Sequence, residues 1–90
     1  MSKQIWKFSL HNVCDTIIEI PKGGEILTCQ LQGNTPTIWA MVDTEKEKGE
    51  RTFGLVGTGH EISESWKSFS YINTIQLPNG IVIHVFEIYK

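Results

Sequence analysis

Hydrophobic residues in this chain recur at every second position, not every third or fourth, almost from end to end. Side chains of a β-strand alternate between two faces, so a period of two makes strands the dominant element and leaves little room for helices. In residues 4–10, Trp6, Phe8 and Leu10 fall on one face and Lys7 and Ser9 on the other. Residues 15–20 are rich in β-branched side chains and stop at Pro21, ahead of a turn at Lys22-Gly23-Gly24. In residues 25–32, Leu27, Cys29 and Leu31 alternate with Thr28, Gln30 and Gln32, and a second turn follows at Gly33-Asn34-Thr35-Pro36. Residues 37–43 are apolar on both faces, Trp39 and Met41 pointing one way and Ile38, Ala40 and Val42 the other. That pattern predicts a central strand covered on both sides.

Residues 44–50 alternate Glu and Lys and read as a solvated, mobile loop. Strand character returns over residues 51–56, then over 69–77 and 81–89. The last two are separated by Pro78-Asn79-Gly80, where Asn-Gly predicts a type I′ hairpin. Between residues 51–56 and 69–77, residues 61–67 could hold a single helical turn, with Ser63 as its cap. About seven strands at a spacing of roughly eight to twelve residues predict an all-β fold. The expectation is a small antiparallel β-sandwich or barrel, with at most one short helical turn near residues 62–67.

Ninety residues make one domain, 1–90. A chain of this length buries only roughly 60–65% of its unfolded surface, so the core must be thin. Self-association would relieve that shortage, and a homo-oligomer is expected. The net charge is −2 and no basic stripe is present, which argues against nucleic acid as a partner. No apolar run reaches the ~18 residues that span a bilayer, so no membrane is expected either. Residues 1–7 lack the apolar core of a secretory leader. Cys14 and Cys29 both fall in apparent strands and read as buried thiols, which suits a reducing cytoplasm.

Catalytic and metal-binding patterns are missing. His11, His60 and His84 lie far apart, without the short spacings that assemble a zinc site, so neither a metal nor another cofactor is expected. No nucleophile stands in a strand-to-helix elbow, and the acids cluster in residues 43–50 and 61–64, where solvated faces explain them. An enzyme is the least favoured class, and no catalytic residue is assigned. One segment invites a ligand: Arg51, then Gly57-Thr58-Gly59-His60. Two glycines around a threonine can aim consecutive backbone N–H groups into one concavity that attracts anions, and Arg51 and His60 could add charge. The alternative is a plain glycine-rich turn. Trp6 and Trp39 are read as core. Trp66, in a polar stretch, is read as exposed and therefore as an interface or stacking residue. His84, on the Val82, Phe86 and Ile88 face, is read as a satisfied core or interface histidine.

The segments Ile5-Trp6-Lys7-Phe8, Ile18-Glu19-Ile20-Pro21-Lys22-Gly23, Ile38-Trp39-Ala40-Met41-Val42-Asp43, Arg51-Thr52-Phe53, Gly57-Thr58-Gly59-His60 and His84-Val85-Phe86-Glu87 together resemble a family of small, uncharacterised proteins encoded by tailed bacteriophages. The resemblance implies an accessory factor working in the cytoplasm of an infected bacterium, where such factors counteract host defence. It carries over no catalytic residue. Two expectations follow. The first is a non-enzymatic binding protein that sequesters a small anionic, nucleotide-derived signal through Arg51, Gly57, Thr58, Gly59, His60 and Trp66. The second is an inhibitor or adaptor that binds a host protein through Trp66 and a strand edge, with a minor virion component as a further alternative.

Overall fold

The structure is a computed structural model that describes residues 2–11 and 15–89. The alternating pattern forms seven strands. They are β1 (Lys3–Ser9), β2 (Thr16–Pro21), β3 (Glu25–Gln32), β4 (Thr35–Asp43), β5 (Lys48–Gly57), β6 (Ser68–Gln76) and β7 (Val82–Tyr89). All neighbours are antiparallel. One sheet has the order β1-β4-β3 and the other β2-β5-β7-β6. The two sheets pack face to face and do not close into a barrel, so the sandwich alternative is the correct one. The residues read as a helical turn form a β-turn instead, in which the Trp66 N–H donates to the Ser63 carbonyl at 3.1 Å.

The core is the set of inward-pointing side chains that the period of two provides. Ile20, Cys29, Phe53, Ile75 and Val85 come from β2, β3, β5, β6 and β7, and β4 supplies Ile38, Ala40 and Val42. Trp6 and Phe8 of β1 pack against this cluster. Trp39 does not: it lies on the opposite face of β4 from Ile38 and Ala40 and is half-buried. The strand is central in its sheet, as expected; its inner face is fully buried, whereas on its outer face Thr37 is buried and Trp39 and Met41 are half-buried.

Two polar clamps fix how the sheets meet. An irregularity between Tyr71 and Asn73 shifts the register of β6, bringing Asn73 opposite Val85 and so to the inner face. There its amide accepts from the Cys29 N–H at 2.8 Å and donates to the Cys29 carbonyl at 2.6 Å. The edge of β3 is thus bonded to β6 through one side chain. The second clamp is Arg51, which grips Glu87 with Nε at 2.6 Å and Nη2 at 2.8 Å and donates through Nη1 to the Gly24 carbonyl, just ahead of β3.

Two local expectations are corrected. The charged stretch 44–50 is not a loop throughout: β5 begins at Lys48, and Lys48, Gly49 and Glu50 pair with Pro21, Ile20 and Glu19. The exposed side chains of Lys48 and Glu50 face solvent while their backbone carries the ladder. The crossing from β4 to β5 is a tight turn in which the Asp43 carboxylate accepts from the Glu45 N–H, which holds that carboxyl below its usual range. The hairpin at Pro78-Asn79-Gly80 is not type I′. Only Gly80 takes a positive φ, +88°, and the Gly80 N–H closes a turn onto the Leu77 carbonyl. Pro78 sets the φ of a type I turn, and Gly80 then supplies the left-handed residue of a bulge.

Cys14 lies outside the described residues. Cys29 is a free, fully buried thiol whose pKa is pushed up to about 11 by burial. In a Cys14→Ser variant, thiol reagents at pH 8 should therefore label Cys29 only at the rate of unfolding. Because the folded pKa is raised, its contribution to stability is complete below the unfolded value of 9.0 and should be lost as pH rises from there towards about 11. Asn73→Ala should cost about 2 kcal/mol, since it removes two hydrogen bonds and strands the Cys29 N–H and carbonyl. The urea midpoint should fall with an unchanged slope.

Candidate functional site

Beyond Gly57 the chain leaves the sheet in a turn. The Thr58 N–H donates to the Val82 carbonyl at 3.3 Å, and the His60 N–H returns to the Gly57 carbonyl at 3.1 Å, with Gly59 at a φ of +85°. Residues 58–67 then fold back towards the outer face of the four-stranded sheet, and the turn at Ser63–Trp66 aims the Trp66 indole at Gly54. A Cβ on Gly54 would lie 2.2 Å from the indole six-membered ring and 2.9 Å from Ile88, so the slot exists only because that strand position is glycine. Phe69 and Phe86 pack edge-on and tilted against the indole, each with its ring centre 6.0 Å away. The indole N–H donates to the Asp15 carboxylate at 2.9 Å. Trp66 is 8% exposed, which corrects its reading as an exposed residue: the polar neighbours Ser65 and Lys67 face water while the ring plugs the slot.

Trp66 forms one wall of a cleft of about 700 Å³. Leu55, Val56, Ile81 and Ile83 make the apolar remainder. Asp15, His60, Glu61 and two serines supply its polar groups. No lysine or arginine is among the described residues that line it. The His60 ring rests on Gly57, where a Cβ would lie 2.9 Å from Nδ1.

Of the residues singled out from the sequence, Gly57, His60 and Trp66 line this cleft, and Thr58 and Gly59 sit in the exposed turn beside it. Arg51 is not brought to them. It stands six residues from Gly57 along β5, roughly 20 Å at strand rise, in a second depression with Glu87 and Tyr89. Its guanidinium is committed to Glu87, which holds its pKa above even the usual arginine value. The backbone donors of the turn are also committed, Thr58 to Val82 and His60 to Gly57. The Thr58 hydroxyl is 2.7 Å from His84 Nε2, and His84 Nδ1 is 2.9 Å from the Thr74 hydroxyl, so both ring nitrogens are engaged. The anion-attracting concavity expected at Gly57–His60 thus has its main donors directed inward.

Sequence reasoning missed Asp15, Leu55, Val56, Ile81 and Ile83. The available signal was Gly54, an isolated glycine within a strand pattern, which marks a close approach by another group. Gly54→Ala should expel the indole, cost about 2 kcal/mol through overpacking, and move the Trp66 indole N–H resonance towards its solvent-exposed position. In a Trp66→Ala background the same change should be nearly neutral, and the difference between the two backgrounds measures the coupling.

Neither a curated protein nor a solved structure matches this chain. A family model described as a domain of unknown function, DUF7352, matches residues 1–90. The chain, over its whole length, belongs to the DUF7352 family.

Proposed function

We propose that this domain is a binding module without catalytic chemistry, and that its Trp66 cleft receives a side chain of a partner protein. The observation that carries the reading is the make-up of the cleft: four aliphatic residues and the rigid indole form the walls, with two carboxylates, Asp15 and Glu61, among the polar groups. Apolar walls bury a bulky side chain, and the carboxylates favour a donor or cation at its tip or beside it. A trapped tryptophan presents a surface that loses little entropy on binding, which suits a hot spot. The resemblance to small tailed-phage proteins supports placing the partner among the proteins of an infected bacterium. Capture of a free anionic nucleotide is the less favoured reading, because Arg51 lies elsewhere and two carboxylates face the cleft.

Selection of displayed random peptides on the purified protein separates the readings. Enrichment is expected for segments that join a large aliphatic or aromatic residue to lysine or arginine. Glu61→Lys should shift that preference towards acidic peptides, with at least a tenfold loss for the original ones, about 1.4 kcal/mol. Enrichment that ignores Glu61→Lys, or heat on titration of the folded protein with cyclic dinucleotides or ADP-ribose, would sink the protein-binding reading.

A further inference from the structure

The Trp66 cleft is lined by three consecutive residues of β5, Leu55, Val56 and Gly57. Neighbouring residues of a strand point to opposite faces, so a cleft that touches all three opens along the edge of the strand and not on one face of the sheet. The ladder shows why that edge is open. The Lys22 N–H donates to the Glu47 carbonyl just ahead of β5, and the Thr58 N–H donates to the Val82 carbonyl just past its end. Backbone groups alternate in direction along an antiparallel strand. Odd-numbered residues of β5 therefore turn theirs towards β2, and even-numbered residues turn theirs towards β7. β2 begins at Thr16, opposite Phe53, so Leu55 and Gly57 lie beyond its end. The Gly57 carbonyl accepts from the His60 N–H. The Leu55 N–H, the Leu55 carbonyl and the Gly57 N–H have no partner among the described residues. Burial changes at the same point: Thr52, Phe53 and Gly54 are buried, whereas Leu55, Val56 and Gly57 are half-buried.

We propose that the cleft takes an extended peptide segment of the partner protein, which lies along Leu55, Val56 and Gly57 as an extra strand in the line of β2. The inference rests on the protein-binding reading of the cleft and specifies the shape of what enters it. Chemistry selects the occupant: two donors and an acceptor, spaced along one edge at the period of a strand, match a peptide backbone in extended form. A helical segment offers no such groups, because its own turns use them. Open edges are commonly blunted by lysine or proline, and the stretch Gly54-Leu55-Val56-Gly57 holds neither charge nor proline. The register also assigns the guest's side chains. The guest residue opposite Leu55 shares backbone hydrogen bonds with it, and its side chain stands with Leu55 and Ile83. The guest residue opposite Val56 points to the other face, beside Val56 and the Trp66 indole. The Asp15 and Glu61 carboxylates in the same cleft favour a lysine or arginine close to it. The open edge runs for four residues, roughly 13 Å. Backbone bonds anchor the guest there, and the space beside Trp66 selects among sequences.

Amide hydrogen exchange reads the edge directly in the free protein. The Leu55 amide should exchange about a hundredfold faster than those of Gly54 and Val56, which are bonded to β7. At saturation, the tightest peptide from the displayed library should slow the Leu55 amide about tenfold. Methylating each backbone nitrogen of that peptide in turn should find a single position, the donor to the Leu55 carbonyl, where affinity falls about tenfold. Methylation at the residues on either side, whose N–H groups point away from β5, should be close to neutral. A Leu55 amide that is already as protected as Val56 in the free protein overturns the proposal. So does a peptide that is weakened by Glu61→Lys yet leaves the Leu55 amide unprotected and tolerates methylation at every position. In that case the cleft still receives a side chain, and only the added strand is lost. A selection that enriches no peptide removes both readings.

Discussion

Arg51 is the group on which the relation between the two sheets turns. Its guanidinium ties β5 to β7 through both oxygens of Glu87, and reaches the Gly24 carbonyl at the point where the chain passes into the other sheet. The Glu87 side chain is 8% exposed and that of Arg51 25%, so each charge depends on the other for solvation that water no longer provides. Such a pair adds little net stability compared with a well-packed apolar pair, but it tolerates few alternative geometries. Its role here is to set where the sheets meet, while Phe53, Ile38 and their neighbours provide the cohesion.

The rest of the molecule follows from a core one layer deep. Two sheets that face each other share a single set of inward side chains, and everything pointing outward must find water, a roof or a partner. The four-stranded sheet solves part of this problem locally by leaving Gly54 without a side chain and filling the space with Trp66 from the following segment. That one substitution of space creates the cleft, because the segment that delivers the indole also walls off the ends of β5 and β7. The same tryptophan is therefore a structural plug on one side and a wall of the cleft on the other.

Much of the fold was legible in the sequence because burial on one face of a strand leaves a period-two trace. The strands, the thin core and the all-β class follow from that trace. What it could not reveal is which outward faces are covered. Trp39 and Trp66 illustrate the limit: the first sits in an apolar strand yet faces outward, and the second sits among serines and glutamates yet is buried. Burial of each is decided by what lies across space, at Gly54 in one case and beyond β4 in the other. The charged start of β5 was hidden for a related reason, since Lys48 and Glu50 enter the sheet through their backbone alone. Of the residues singled out as a site, Gly57, His60 and Trp66 line the cleft, Thr58 and Gly59 lie beside it, and Arg51 stands apart because a basic residue close in sequence to a glycine turn need not share its end of the strand.

The amide of Asn73 has a consequence for the molecule in company with others. By offering one acceptor and one donor to the Cys29 peptide, it imitates the peptide group of a neighbouring strand. The open edge of β3 is thereby interrupted in its middle, where an incoming chain would otherwise begin a continuous ladder. A single polar side chain, drawn inward by one extra residue in β6, thus takes the middle of the β3 edge out of reach of strand addition.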